Sequence, residues 1–239
     1  MKINIYNTKQ EVAIHFSEYL SNLIKQNKSV HIALSGGSTP KIVFEELASN
    51  FLDKIDWSGV HLYWGDERCV APTDSESNYK MTVDYLISKI NIPQENIHRI
   101  KGEEAPSKEA IRYSEVLVKE LPQENNLPKF DLVILGMGDD GHTASIFPHE
   151  INLWDSKNIC EVAIHPDSGQ KRISLTGAVI NNADTVAFLV TGEGKKEKVD
   201  IIINKKGDYK QYPASLVAPK SNNLIWFLDT AAAQEIKKK

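Results

Sequence analysis

Lys129-Phe-Asp-Leu-Val-Ile-Leu-Gly-Met-Gly-Asp-Asp-Gly-His-Thr-Ala-Ser-Ile-Phe-Pro148 is the stretch on which the reading of this chain turns. Residues 132–135 are wholly apolar, with a charge before them and glycine after them. That is the pattern of a strand buried on both faces of a parallel sheet. Gly136, Gly138 and Gly141 then let the backbone turn sharply with little side-chain bulk. Residues 142–147 are predicted to form a first helical turn, stopped by Pro148. A carboxylate (Asp140) and an imidazole (His142) therefore fall at the carboxyl end of a strand, where open α/β sheets bind ligands.

The same grammar recurs outward in both directions. Residues 30–34 read as a strand running into Ser35-Gly-Gly-Ser-Thr-Pro40 and then a helix over 42–47. Residues 60–64 read as a strand ending at Gly65-Asp-Glu-Arg68. On the other side, the buried strand 185–190 leads through Thr191-Gly-Glu-Gly-Lys195 into a helix to Ile203. The flanks fill in around these. Ile3 and Ile5 mark a strand, and Thr8-Lys-Gln-Glu11 is a capping box for a helix to about Lys25. A helix after Ser77 carries Tyr79, Val83, Leu86, Ile87 and Ile90, and a short strand closes 93–100. Ser107 is expected to cap the next helix, and 122–128 to be polar linker. Strands are expected at 159–164, 172–176 and 224–228, with a short helix to Asn182, a helix or turn at 212–217 and a lysine-ended tail beyond Ala233. Strands alternating with helices predict an α/β fold: a mostly parallel, Rossmann-like sheet with helices on both faces. With no long linker and no internal repeat, residues 1–239 are expected to form a single domain.

Bulk properties narrow the function. Hydrophobic content of 41% and charged content of 25% are ordinary for a globular protein, and the net charge of −4 argues against nucleic acid as a partner. Two cysteines, Cys69 and Cys160, are too few for a disulfide framework and lack metal-ligand spacing. The amino terminus lacks the apolar core of a signal peptide, and no apolar run approaches the roughly 20 residues that span a bilayer. The expectation is a cytoplasmic protein with no membrane partner.

Four strand ends carry residues capable of chemistry, and a parallel sheet puts them on one rim. The loop Ser35-Gly-Gly-Ser-Thr39 offers backbone N–H groups, hydroxyls and a helix start, the ingredients of an anion site. It is neither a Walker loop nor a dinucleotide fingerprint, and its plain reading is a strand-to-helix turn. Arg68 fits a phosphate or carboxylate clamp; its plain reading is an ion pair with Asp66 or Glu67. Lys195 lies where its amine reaches the rim, whereas Lys196 and Lys198 fit a solvated helix face. Arg172 opens a strand and suits either edge pairing or ligand contact. His142, two residues after Asp140, suits general base work, because imidazole titrates near neutrality and a carboxylate orients it. No metal site is expected, and neither Ser35 nor Ser145 sits in a nucleophile elbow.

With these residues in view, the chain resembles the 6-phosphogluconolactonase family, in the superfamily shared with glucosamine-6-phosphate deaminase. The resemblance rests on Ser35-Gly-Gly-Ser-Thr-Pro40, Trp64-Gly-Asp-Glu-Arg68, Ser77-Asn-Tyr79, Gly138-Asp-Asp-Gly-His-Thr-Ala-Ser-Ile-Phe-Pro148, Arg172-Ile-Ser-Leu-Thr176 and Pro213-Ala-Ser215. In the deaminases the histidine block continues toward a glutamate that is missing after Thr143-Ala-Ser-Ile-Phe147, and tyrosine stands where this chain has Arg68. Both departures favour the lactonase. The resemblance implies hydrolysis of 6-phospho-D-glucono-1,5-lactone in the oxidative branch of the pentose phosphate pathway, without metal or cofactor. It implies His142 as general base and Asp140 as its partner. Arg68 and Lys195 would hold the phosphate, with Arg172 and the loop Gly37, Ser38 and Thr39 completing the pocket, and Asp66 near the sugar. The partner is then a phosphorylated sugar lactone, and the protein a monomer or weak homo-oligomer. A same-fold deaminase and a non-catalytic sugar-phosphate sensor are the competing readings.

Overall fold

A computed structural model describes residues 1–236; of the lysine-ended tail, 237–239 lie outside the described residues. The elements, in chain order, are β1 (Lys2–Tyr6), α1 (Lys9–Gln26), β2 (Val30–Leu34), α2 (Ser38–Asn50), β3 (Val60–Trp64), β4 (Asp66–Arg68) and α3 (Asn78–Tyr85). Then come β5 (Ile97–His98), α4 (Pro106–Glu120), β6 (Gln123–Glu124), β7 (Leu127–Pro128), β8 (Leu132–Leu135) and β9 (Cys160–Ile164). The chain continues through β10 (Lys171–Leu175), α5 (Gly177–Ile180), β11 (Thr185–Val190), α6 (Lys196–Ile203) and β12 (Leu224–Asp229).

Seven strands form one sheet in the order β1-β12-β11-β8-β2-β3-β5, and every neighbouring pair is parallel. β8 and β11 are buried at every position, as the apolar runs predicted. Connections from β1 through β5 step one way along the sheet, and those from β5 through β12 step back. Right-handed crossovers therefore put α1, α2 and α3 on one face and α4, α5 and α6 on the other. The direction reverses between β2 and β8. At such a switch point the two outgoing loops part and leave a crevice at the carboxyl ends of the strands.

Packing fixes that crevice from below. Phe188 and Trp226 stack at 4.0 Å between β11 and β12, and Phe16 of α1 meets Phe227 edge-on at 5.2 Å. The Tyr113 hydroxyl, on α4, accepts from the Trp64 amide (2.9 Å) and donates to the Trp64 carbonyl (3.0 Å). This double bond to one residue pins the end of β3 just before the functional segment 65–68. Half of the expected capping box is present: the Glu11 amide donates to Thr8 Oγ1 (3.1 Å), but the Glu11 carboxylate accepts from the amide of Asn7 (2.9 Å), one residue before the cap.

Several local expectations are corrected. Residues 142–147 are not a helical turn: Thr143 and Ile146 form a β-bridge around Ala144, which has φ +48°. Residues 122–128 are not a linker but hold the hairpin β6–β7, with Asn125 and Asn126 both at positive φ in its two-residue turn. α4 begins at Pro106, one residue before the expected Ser107 cap. α3 stops at Tyr85, leaving Leu86 as its cap and Ile87 in a separate 3-10 turn. The sequence also gave no sign of a second, antiparallel sheet, β4-β10-β9, over the same end of the fold.

Candidate active site

The loops leaving β2, β3, β8 and β11 meet in a cleft of about 190 Å³ at the switch point. Its walls include Gly37, Ser38, Thr39, Asp66, Arg68, His142, Arg172 and Lys195. Asp140 stands behind His142. All nine residues singled out in the sequence thus gather in one place, although they span residues 37–195 of the chain.

β8 delivers the histidine. Its Nδ1 lies 2.6 Å from Asp140 Oδ1, and its own amide donates to the same oxygen at 3.1 Å. Asp140 thereby fixes the ring, and with an ionised carboxylate Nδ1 carries the proton and Nε2 keeps a free lone pair. Burial works to raise the Asp140 carboxyl, but the bond and charge of His142 outweigh it, so it titrates below the usual aspartate value. Gly138 is required by this arrangement. A Cβ there would stand 2.1 Å from His142 Nδ1 and 2.5 Å from Asp140 Oδ1. The back of the imidazole rests on Phe147, with ring centres 4.6 Å apart. Because residues 142–147 are not helical, no helix dipole acts on His142 from its own segment.

Side-chain hydrogen bonds explain the non-helical path. Thr143 Oγ1 donates to the Gly136 carbonyl (2.8 Å), and Ser145 Oγ donates to Asp66 Oδ2 (2.6 Å). The Ser145 amide is taken by Ser174 Oγ at 3.1 Å. Local hydroxyl bonding competes with helix formation here and ties the histidine loop to β4 and β10. Asp66 is buried, with one carboxylate oxygen committed to Ser145.

The small sheet sets two arginines side by side. Arg68 and Arg172 are direct partners across β4 and β10. Like charges opposite one another on a sheet repel. Burial, and then the Arg68 charge, push Arg172 below the ordinary guanidinium range. The Nε atoms of both arginines are buried without a hydrogen-bond partner. Arg68 forms no ion pair among the described residues, against its plain reading; one terminal nitrogen donates to the Glu76 carbonyl at 2.5 Å. Glu67 is committed elsewhere: its buried carboxylate accepts from Ser77 Oγ and the amides of Arg68, Asn78 and Tyr79 at 2.7–3.0 Å. Arg172 lies 5.5 Å over the Phe147 ring, the same ring that backs His142.

α2 begins at Ser38 with Gly37 (φ +108°) as its cap, and no side chain caps its first turn. Its free amides and positive dipole end face the cleft. Thr39 Oγ1 and Thr191 Oγ1 meet at 2.8 Å and tie this turn to the end of β11. Lys195 lines the cleft, whereas Lys196 bonds Glu193 (3.0 Å) and Gln234 (3.3 Å). Asn78 also lines the cleft, and its Nδ2 donates to the Asp66 carbonyl at 3.0 Å. No role was assigned to Asn78 from the sequence; it stood only within the Ser77-Asn-Tyr79 motif, whose Ser77 caps α3. Among the described residues no three His, Cys, Asp or Glu side chains cluster so as to hold a metal ion, and no helix is long and apolar enough to cross a membrane.

A cationic cleft with a carboxylate-oriented imidazole can bind an anionic substrate and take a proton from water. Comparison with known proteins gives the family. The family model for glucosamine-6-phosphate isomerases/6-phosphogluconolactonase matches residues 6–226. The chain belongs to this family. It is 46% identical to the 6-phosphogluconolactonase of Haemophilus influenzae over 87% of this chain and 88% of that one. The fold superposes on a crystal structure of devB protein with a TM-score of 0.94, at 42% identity and 99% coverage of both chains. It superposes on the 6-phosphogluconolactonase of Trypanosoma brucei with a TM-score of 0.87, at 29% identity, covering 99% of this chain and 98% of that one. The family's description spans two chemistries, so the choice between them rests on the residues.

Proposed function

We propose that this chain is a lactonase that hydrolyses 6-phospho-D-glucono-1,5-lactone to 6-phospho-D-gluconate, in the cytoplasm, as one domain and without metal. The observation that carries the reading is His142, held by Asp140 through Nδ1, at the wall of a cleft shared with Arg68, Arg172 and Lys195. His142 takes a proton from water at Nε2. The water oxygen attacks C1, and the carbonyl electrons move onto its oxygen. When the tetrahedral intermediate collapses, the C1–ring oxygen bond breaks and the imidazolium returns the proton to that oxygen. A general base contributes on the order of 10²–10⁴-fold, and a donor to the oxyanion about 10²–10³-fold. Arg172 and the amides at the start of α2 are the candidates for that donor. Because the ester is already activated, positioning of water and substrate is the main task, and no covalent nucleophile is needed.

The phosphate is assigned to Arg68 and Lys195. Two neighbouring guanidiniums with unpartnered Nε atoms are disfavoured unless an anion joins them, which supports a dianionic substrate. The test is turnover of freshly made phosphorylated lactone, corrected for spontaneous ring opening, with glucosamine 6-phosphate in parallel. Lactone hydrolysis without ammonia release is expected. Ammonia release would replace the reading by the deaminase, and phosphosugar binding without turnover would replace it by the sensor.

A further inference from the structure

We propose that Asp139 sets the affinity for phosphorylated substrate by competing with it for Lys195. The inference rests on the phosphate assignment above and concerns a residue outside it. The loop between Gly138 and His142 carries two adjacent carboxylates with separate partners. Asp140 holds His142, while Asp139 Oδ1 lies 2.5 Å from Lys195 Nζ. Asp139 makes no other polar contact among the described residues. The Asp139 side chain is 80% exposed and that of Lys195 25% exposed.

Those exposures decide the role. A largely solvated carboxylate makes a weak ion pair, because water screens it and the side-chain ordering cost offsets the attraction. The pair holds the Lys195 amine against the histidine loop, and it is weak enough to break. A phosphoryl dianion arriving at Lys195 must either displace Asp139 or sit beside a second negative charge. Both alternatives subtract from binding of the phosphate. The lysines that follow in the first turn of α6 are engaged elsewhere: Lys196 is bonded to Glu193 and Gln234, and Lys198 to Glu197 and over the Tyr212 ring. Asp139 is thus an affinity-determining residue for the phosphoryl group, with no part in the proton transfer.

The test is Asp139→Asn in the full chain, read by calorimetric binding of 6-phosphogluconate and by KM for the phosphorylated lactone. Removing one exposed ion-pair partner is expected to tighten both by about two- to fivefold. The change should fall on KM rather than kcat, shrink at high salt, and be absent for non-phosphorylated gluconolactone. It should also vanish when Lys195 is already alanine. Weaker or unaltered binding in Asp139→Asn, or a gain that persists with Lys195→Ala, would overturn the proposal. The calorimetry separates this outcome from failure of the lactonase reading, which is seen as absent turnover in the unaltered protein.

Discussion

Asp140→Asn removes a charge while keeping the shape of the side chain, so it isolates what the carboxylate does for His142. The bond to be weakened is 2.6 Å long and runs between a carboxylate and a ring nitrogen that becomes cationic during turnover. Hydrogen bonds to charged groups contribute about 1.5–3 kcal/mol. At about 1.4 kcal/mol per decade of rate, that corresponds to roughly 10- to 150-fold in kcat. The Asp140 side chain is 41% exposed, so solvent screening places the expected loss near the lower end, about 10- to 30-fold. KM should hardly move, because Asp140 does not line the cleft. The assay is initial-rate lactone hydrolysis with spontaneous opening subtracted, run on the single variant and on the same change in a His142→Ala background. In that background the substitution should have no further effect. A second, additive loss there would show that Asp140 does not act through His142, and unaltered kcat in the single variant would remove it from the mechanism.

Two further outcomes follow from the same structure. Arg68→Ala should raise KM for the phosphorylated lactone about 10- to 100-fold, the cost of one charge-assisted contact, and leave turnover of non-phosphorylated gluconolactone nearly intact. Equal impairment of both substrates would remove Arg68 from phosphate binding. The stacked imidazoles of His31, His61 and His98 (centroids 4.6 and 5.8 Å apart) should make stability acid-sensitive. Burial first, and mutual repulsion for His31 and His98, lower all three, with Glu120 opposing at each, Asp131 opposing at His31 and Lys119 adding to the lowering at His98. The unfolded chain then binds more protons below pH about 6.5, so stability is intact above that pH and falls as acid is added, by at most about 1.4 kcal/mol per pH unit for each histidine. Thermal melts from pH 7.5 to 5 should show this fall, and His61→Leu should flatten it. A pH-independent Tm in the unaltered protein would refute the reasoning. Asp140, whose pKa is lowered, contributes stability that is lost only near pH 4 and below, outside that window.

What could be read in the sequence was what each segment carries within itself. The apolar run of β8, the glycines after it and the hydroxyl-rich turn before α2 are local signals, and a parallel sheet then forces their ends onto one rim. What escaped was pairing between distant residues. Ala144, Ile146 and Phe147 mimic a helical start, but Ser145 bonds Asp66 and Ser174, which lie far away in the chain. The juxtaposition of Arg68 with Arg172 depends on the register of β4 with β10, for which no local pattern exists. Asn125-Asn126 did carry a signal, since asparagine tolerates positive φ, but the flanking prolines mask the strands as linker. Glu67 was indistinguishable in sequence from a partner for Arg68, and only the docking of α3 shows where its carboxylate goes.

The measurement that bears most directly on the mechanism is kcat of His142→Ala with phosphorylated lactone, alongside calorimetric binding of 6-phosphogluconate. Loss of the general base should lower kcat by about 10²-fold or more, with product affinity retained because Arg68, Arg172 and Lys195 are untouched. Turnover at the unaltered rate would contradict the assignment of His142 as the base. Loss of product binding together with turnover would mean that this imidazole belongs to the phosphate site rather than to the reaction at C1.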